Sequence, residues 1–330
     1  MTFDLLRFPS WYARRFFWWV REFKELNHPP WLDRPFNVQI DTLNYCTLAC
    51  EYCNVKEGGA FGLPRGRMDD EMLWYIISYW GEHGIGAVCP YVNGEPMLDS
   101  RLNRIFDFTV EHTKAINIVD TNGTVWRNRR LLVHPNAKIV RFTISACTRE
   151  TYKKVHGRDL FKDAIKTFQW FNENKYPEQR LVLHFIVTKN NVHELDDWIR
   201  LFAGFKRRIF PLHRMIGMQA DSDKVLVEKG FWSKTNRPLV VYPNGKKEIM
   251  QFRRTEMCQG TVSISISWDG KIMHCTDAPP KFNYGNVWEV DMMEAWQKRI
   301  RRLNHPACNA CTVKRPDWQQ FLRRYLGSSV

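Results

Sequence analysis

The sequence predicts an α/β protein in which a parallel sheet built from six βα units is followed by a smaller α+β domain. Two observations predict this class. Apolar, strand-like runs alternate with helical patterns from residue 36 to about 215, and two alternating strands follow Met257. With 330 residues, 44% of them apolar, the chain can bury a full core, so we expect one large domain and one small one.

Six short runs rich in β-branched and aromatic residues are the predicted strands, at residues 36–43, 85–93, 116–120, 138–145, 180–189 and 207–215. Helical patterns fit between them, at residues 69–82, 98–114, 148–155, 160–174 and 193–204. Alternation of this kind gives a parallel sheet with its active site at the carboxyl ends of the strands. The predicted main domain is therefore 36–215, followed by a bridging segment, 216–250.

The first 35 residues form a segment of their own. Their apolar side chains recur at three- and four-residue steps, which predicts one helical stripe, and Trp11 and Trp18 widen its aromatic surface. Basic residues lie largely off the stripe. Two interpretations remain open: residues 3–26 contact a membrane surface or a hydrophobic partner, or the helix docks on the main domain.

The C-terminal domain, 251–330, begins with an antiparallel pattern. The stretch "TVSISISWDGKIMHC" reads as two alternating strands joined at Asp269-Gly270, which is a strong tight-turn signal. A helix near 291–303 and the pair "CNAC" follow.

The net charge and the cysteine content indicate which binding partners and which cellular compartment to expect. A formal net charge of +14 favours an acidic partner, such as nucleic acid, an anionic membrane, an acidic peptide or a phosphorylated small molecule. No RNA-binding or zinc-finger motif accompanies the charge, which argues against nucleic acid. Without a secretory signal or an apolar span, we expect a cytoplasmic protein, with peripheral membrane association as an alternative. Nine cysteines in a reducing compartment favour metals over disulfides.

Three cysteines, Cys46, Cys50 and Cys53, form a C-x3-C-x2-C set directly after the first predicted strand. Closed structural zinc sites and fully ligated iron-sulfur cubes take four protein ligands, so this set is one short. The spacing suggests a cubane with one iron free for a substrate or cofactor. A zinc site completed by a distant histidine is the alternative.

The loop resembles the signature of the radical S-adenosylmethionine (SAM) superfamily, in which an aromatic residue, here Tyr52, precedes the last cysteine. The stretches "NGEPMLD" (93–99), "DTNGT" (120–124) and "TISACTRETYKKVHG" (143–157) resemble that family's further motifs. The resemblance implies a partial (β/α)6 TIM-like barrel whose three cysteines hold a [4Fe-4S] cluster that binds SAM. Two departures are Asn93, where a glycine is usual, and Cys147, where aspartate is common.

Beside the cysteines, the resemblance and the strand ends together nominate the cofactor-binding residues Tyr52, Asn93, Gly94, Glu95, Pro96, Thr121, Asn122, Ser145 and His184. A buried core histidine is the alternative for His184. Cys147, near the predicted SAM site, is a candidate hydrogen donor, with an inert thiol as its alternative.

A second set, Cys258, Cys275, Cys308 and Cys311, supplies four ligands, which from spacing alone suits a zinc ribbon or an iron-sulfur cube. The arrangement C-x11-G-x4-C followed by C-x2-C resembles the C-terminal auxiliary-cluster extension of radical SAM enzymes, called SPASM, in its shortened "twitch" form. That resemblance implies one auxiliary [4Fe-4S] cluster in the C-terminal domain.

The family's chemistry implies reductive cleavage of SAM to a 5′-deoxyadenosyl radical, which abstracts hydrogen from a substrate. A fully ligated auxiliary cluster favours electron transfer and hence oxidation or rearrangement of a small molecule such as a sugar, cyclitol or nucleoside. An electron donor such as flavodoxin or ferredoxin is then needed. The alternatives are a maturase that crosslinks or epimerises a ribosomally synthesised peptide, and a non-catalytic zinc protein that binds nucleic acid.

Overall fold

The computed structural model describes residues 33–55, 58–211, 239–241, 243–249, 262–276, 278 and 281–301. The aromatic helix of the first 32 residues, most of the bridging segment and three of the four cysteines of the second set lie outside the described residues. No helix in the part of the chain that the structure describes has the length and apolar character needed to span a bilayer.

The described strands form one sheet. In chain order they are β1 (Asn37–Ile40), β2 (Ala87–Cys89), β3 (Ile116–Thr121), β4 (Ala137–Thr143), β5 (Arg180–Val187), β6 (Lys206–Pro211), β7 (Leu239–Val241), β8 (Lys247–Ile249), β9 (Ser263–Ile266), β10 (Lys271–Met273) and β11 (Asn283–Asn286). Strands β1 to β6 are parallel, and each pairs with the next in chain order. This is the strand order of a (β/α)6 half-barrel, so the predicted α/β architecture is confirmed.

The helices are α1 (Asp70–Glu82), α2 (Leu102–His112), α3 (Arg149–His156), α4 (Phe161–Asn174), α5 (Leu195–Leu201) and α6 (Met292–Arg301). The first five lie where helices are predicted; α3 and α4 both follow β4, and a 3-10 segment, Trp126–Leu132, connects β3 to β4. Side-chain caps explain two of the helix starts. Asp69 accepts a hydrogen bond from the backbone N–H of Met72 (2.8 Å), and Thr148 accepts one from that of Thr151 (3.2 Å).

The core lies between the sheet and the helices. Large apolar side chains, including Trp80, Trp198 and Trp296, are fully buried on this outer face of the sheet. Because successive strand residues point to opposite faces, the neighbours of these core positions point into the half-barrel. Val119 and Val140 belong to the core, whereas Asp120 and Arg141 alternate with them and lie on the inner face.

The C-terminal hairpin continues the barrel sheet. Strand β9 pairs in parallel with β1, and β10 returns antiparallel to β9. The predicted turn is confirmed: Gly270 has a φ of +83°, and its N–H donates to the Ser267 carbonyl (2.8 Å). Helix α6 matches the one predicted near 291–303.

Three further strands are not in the sequence prediction. Strand β11 extends the sheet beyond β10, while β7 and β8 form antiparallel additions at the opposite edge, within the predicted bridging segment. Each of the three has only three or four residues, too few to show a periodic pattern.

Candidate active site

The three-cysteine loop is fixed to the end of helix α3. The backbone N–H groups of Ala49 and Glu51 donate to the carbonyls of His156 (3.1 Å) and Val155 (2.9 Å), which the helix itself leaves unpaired. Gly157 ends the helix with a φ of +73°, and a Cβ atom at this position would lie 2.4 Å from the Ala49 carbonyl oxygen. Glycine is therefore required here twice, for its backbone conformation and for the close approach of the loop.

A buried histidine contacts one of the three thiols. The Nε2 atom of His156 accepts a hydrogen bond from the backbone N–H of Ser145 (3.2 Å), and burial lowers the pKa of His156 to about 3. The ring is therefore neutral and carries its proton on Nδ1, which lies 3.1 Å from Cys50 Sγ and 3.4 Å from the Tyr52 hydroxyl. Sequence reasoning missed His156, although it lies within the stretch "TISACTRETYKKVHG".

Nitrogen donors also face the other two thiols. Cys46 Sγ accepts from the Asn122 side-chain amide (3.2 Å) and from the Leu48 N–H (3.4 Å), and Cys53 Sγ accepts from the Val55 N–H (3.5 Å). Such donors stabilise thiolates, which are the form that binds metal. Burial and the nearby Glu95 carboxylate raise the pKa of Cys46 to about 12, so that binding a metal there must release a proton.

The surroundings of the loop fit an iron-sulfur cluster with SAM. The Tyr152 hydroxyl is buried without a hydrogen-bond partner, and its electrostatic neighbours are Cys50, Cys46 and Glu95. It can donate to an acceptor bound among these three residues. Within the described residues, no three His, Cys, Asp or Glu side chains converge on a single metal ion. The cysteines that hold a cubane need not converge on one point, because each of them binds a different iron atom.

Glu95 lies beside this loop. Its buried carboxylate accepts hydrogen bonds from the Thr121 hydroxyl (2.6 Å), the Asn122 N–H (2.8 Å) and the Met97 N–H (3.1 Å). Burial raises the pKa of Glu95 to about 7 despite these three donors. Pro96 begins the short 3-10 turn Pro96–Leu98, whose first free N–H group Glu95 caps. Asn122 thus donates hydrogen bonds to both Glu95 and Cys46, through its backbone N–H and its side-chain amide respectively.

Asn93 and Gly94 face a carboxylate that sequence reasoning missed. Asp41, directly after β1, accepts from the N–H groups of Asn93 (3.0 Å) and Gly94 (3.4 Å) and from the Asn93 side-chain amide (3.5 Å). Burial raises the pKa of Asp41 to about 7. A Cβ atom on Gly94 would lie 2.1 Å from the Leu43 carbonyl oxygen, so the segment can approach this closely only with glycine.

Ser145 and His184 occupy different positions relative to the loop. Ser145 is fully buried. Its hydroxyl accepts from the Ile186 N–H (3.0 Å), and its backbone N–H is the donor that orients His156. His184 is buried on the inner face, near Arg141 and Arg208. Their direct contact with SAM stays a prediction.

Cys147 makes its described contacts with Glu194. Its N–H donates to the Glu194 carboxylate (2.6 Å), and its sulfur lies 3.6 Å from the Glu194 carbonyl oxygen. Burial and the Glu194 charge raise the pKa of Cys147 to about 12, so the thiol is protonated at neutral pH. Protonation is compatible with hydrogen-atom donation, which stays a prediction for this residue.

One ligand of the second cysteine set is within the described residues. Cys275 follows β10 by two residues, and the neighbouring His274 carbonyl accepts a 2.5 Å hydrogen bond from the buried Arg299 of α6. The hairpin and α6 thus hold Cys275 in place.

Comparison with known families matches these observations. The family model of the radical SAM superfamily matches residues 40–202, and that of SPASM, described as an iron-sulfur cluster-binding domain, matches residues 258–312. The chain belongs to the radical SAM superfamily. More particularly, it is a radical SAM enzyme with a C-terminal SPASM domain, whose cofactors are a [4Fe-4S] cluster, SAM and an auxiliary iron-sulfur cluster.

Individual relatives are distant. A probable GTP 3′,8-cyclase of Sulfurisphaera tokodaii is 20% identical over 328 residues, which cover 88% of this chain and 97% of that protein. A protein of the same name from Saccharolobus islandicus is 23% identical over 265 residues, covering 72% of this chain and 82% of its own.

Two solved structures share the fold. Streptococcus suis SuiB bound to S-adenosylmethionine has a TM-score of 0.62 at 15% identity, covering 91% of this chain and 75% of its own. The native anSMEcpe structure with bound AdoMet has a TM-score of 0.60 at 15% identity. The match covers 89% of this chain and 88% of the anSMEcpe chain.

Proposed function

We propose that the protein cleaves SAM reductively to a 5′-deoxyadenosyl radical, which abstracts hydrogen from a small molecule such as a sugar, cyclitol or nucleoside. The net reaction is an oxidation or a rearrangement. The observation that supports this most strongly is the hydrogen-bonded path from Glu95 through Asn122 to Cys46. It brings the predicted acceptor for the SAM amino group next to a predicted cluster ligand.

The chain's own residues position and shield the reactants. Cys46, Cys50 and Cys53 hold the cluster, which supplies the electron for SAM cleavage when bound. Glu95 would accept a hydrogen bond from the amino group of SAM, and such a donor favours the ionised carboxylate. The Tyr152 hydroxyl donates a hydrogen bond to the bound group. The buried surroundings of these residues exclude water from the radical.

The second cysteine set, of which Cys275 is the described member, would hold the auxiliary cluster. That cluster would supply an acceptor for the electron that a substrate radical gives up, together with a proton, in a two-electron oxidation. An external donor such as flavodoxin or ferredoxin supplies the electron for SAM cleavage.

Two kinds of observation favour different substrates. The relatives named as probable GTP 3′,8-cyclases match most of this chain, which favours a small molecule. The second candidate, a peptide maturase, is favoured by the fold shared with the anSMEcpe structure that holds a Cp18Cys peptide, at a TM-score of 0.56 and 14% identity.

Anaerobically reconstituted protein tests the proposal. It is incubated with dithionite, SAM and panels of sugars, nucleotides and the peptides encoded beside the gene, and products are measured by mass spectrometry. We expect one small molecule to lose two hydrogens, or to rearrange without a mass change, in step with 5′-deoxyadenosine formation. The variant C275A should cleave SAM but not complete an oxidation, whereas R127Q, at an exposed arginine, should match wild type. Turnover confined to a peptide would overturn the small-molecule assignment.

A further inference from the structure

A layer of polar side chains lines the half-barrel near the carboxyl ends of its strands. Asp120 on β3 is in register with Arg141 on β4, and the two form an ion pair. His184 on β5 is in register with Arg208 on β6. All four side chains share the inner face, because their positions alternate with core residues that pack against the helices.

Direct contacts extend this layer across the sheet. The guanidinium of Arg141 donates to the Tyr91 hydroxyl (2.8 Å), which follows β2. Tyr91 is in turn close to the buried Cys89 thiol. The layer therefore spans five consecutive strands, and the side chain of Arg141 is only 17% exposed.

Positive charges outnumber negative ones in the layer, which contains two arginines and one aspartate. The pKa of His184 lies well below its usual range because the side chain is buried and because the positive charges of Arg141 and Arg208 lie nearby. A neutral imidazole between two guanidinium groups can donate or accept a hydrogen bond. Arginine presents a planar fork of donors that matches phosphate and carboxylate oxygens.

This layer adjoins the SAM site. Asp120 precedes Thr121, which donates to Glu95, and the Asp120 charge is close enough to raise the pKa of Glu95. A molecule bound against the two arginines would therefore lie inside the half-barrel and next to the position expected for SAM.

We propose that Arg141 and Arg208 bind an anionic group of the substrate, a phosphate or a carboxylate, inside the half-barrel. This proposal rests on the proposed function, because it names the substrate class of the same site. Asp120 and Tyr91 hold Arg141 in place, while His184 supplies a neutral hydrogen-bonding group between the arginines. The substrate is then an anion rather than a neutral sugar or cyclitol.

The test is calorimetric titration of reconstituted, SAM-saturated protein with inorganic pyrophosphate and, separately, with malonate at constant ionic strength. We expect wild type to bind at least one of the two anions, and the stronger one identifies phosphate or carboxylate as the group recognised. The variant R208Q should weaken anion binding at least about tenfold. R127Q, at an exposed arginine, should leave it unchanged.

Two further variants distinguish a loss of anion binding from a loss of folding. R208K and R141K keep the positive charge, and with it the partner of Asp120, but lose the planar fork, so we expect them to keep the wild-type melting temperature and bind the anion with intermediate affinity. The SAM dissociation constant should be unchanged in all of these variants.

Three results would overturn the proposal: no binding of either anion by wild type, equal binding by R208Q and R127Q, or anion binding that appears only when SAM is absent. The last result, with weaker SAM binding in R208Q, would assign the arginines to the SAM carboxylate. Formation of 5′-deoxyadenosine is measured in the same preparations. Arginine-dependent anion binding without SAM cleavage would refute the proposed function and leave the anion site standing.

Discussion

The Nδ1 atom of His156 lies 3.1 Å from the sulfur of Cys50, while the Nε2 atom of the same ring accepts a hydrogen bond from the Ser145 backbone. The Ser145 contact fixes which ring nitrogen carries the proton, so the histidine directs an N–H group at a predicted cluster ligand. Hydrogen bonds to ligand sulfurs are among the interactions that set the reduction potentials of iron-sulfur clusters.

Replacing His156 should therefore change the potential of the SAM-binding cluster. In H156F the N–H donor is lost, the reduced cluster is less stabilised, and the potential should become more negative by on the order of 50 mV, about a tenfold change in a one-electron equilibrium. Redox titration followed by electron paramagnetic resonance measures this shift. H112F, at an exposed histidine, serves as the control. An unchanged potential in H156F protein with a full cluster would refute the role of this contact.

Gly157 should be needed for the cysteine loop to hold its cluster. In G157A the new methyl group meets the Ala49 carbonyl, so the loop must move and cluster retention should fall at least twofold. G62A is the matched control, because Gly62 has a similar φ of +76° but no atom within 4 Å of the position that a Cβ would take. Iron and sulfide analysis after gel filtration checks this. Equal cluster loss in both variants would attribute the effect to backbone strain alone.

Glu95 should make SAM binding depend on pH. Its pKa of about 7 means that the carboxylate becomes protonated as the pH falls below 7. The ionised form is the stronger acceptor for the SAM amino group, so SAM affinity should be highest above pH 7 and should fall up to about tenfold per unit well below it. E95Q should bind SAM about 10- to 100-fold more weakly, without this pH dependence. Equilibrium dialysis between about pH 5.5 and 8.5, values chosen to bracket the pKa, measures both effects. A pH-dependent affinity retained in E95Q would assign the titration to another group.

Arg101 should contribute strongly to stability. Its guanidinium contacts the buried Asp99 (2.8 Å) and Asp70 (2.6 Å) and donates to the Met68 carbonyl (2.8 Å). R101M leaves Asp99 buried without its charged partner, which should lower the free energy of unfolding by about 3–5 kcal/mol. R104M removes an exposed arginine 4.0 Å from the same Asp70 and should cost less than about 1 kcal/mol. Urea unfolding of both variants measures the difference, and similar losses would contradict the assigned role of Arg101.

The repeated local patterns explain why much of this structure could be predicted. Six apolar runs separated by helical periods define a parallel sheet, and its carboxyl edge brings the cysteine loop, Glu95 and Asn122 together wherever the exact ends of the strands fall. The tight turn at Gly270 also depends only on local sequence, and the structure confirms it.

Long-range contacts carry the information that local patterns lack. Ser263 on β9 pairs with Asn37 on β1 across most of the chain, so nothing near either residue indicates that the hairpin joins the barrel sheet. His156 and Asp41 were missed for a related reason. Each acquires its role only when a distant segment packs against it, Cys50 in one case and Asn93 in the other. The ion pair of Arg141 and Asp120 on the inner face depends on how β3 and β4 are aligned, which the sequence does not specify locally.

The central claim is that the three-cysteine loop and Glu95 form a site that cleaves SAM. It is tested most directly by measuring 5′-deoxyadenosine in anaerobically reconstituted, dithionite-reduced protein, beside a C46A/C50A/C53A variant that keeps the auxiliary set. We predict 5′-deoxyadenosine and methionine in equal amounts from wild type and neither from the variant. Wild-type protein with both clusters loaded that leaves SAM intact, or a variant that still cleaves it, would contradict the account.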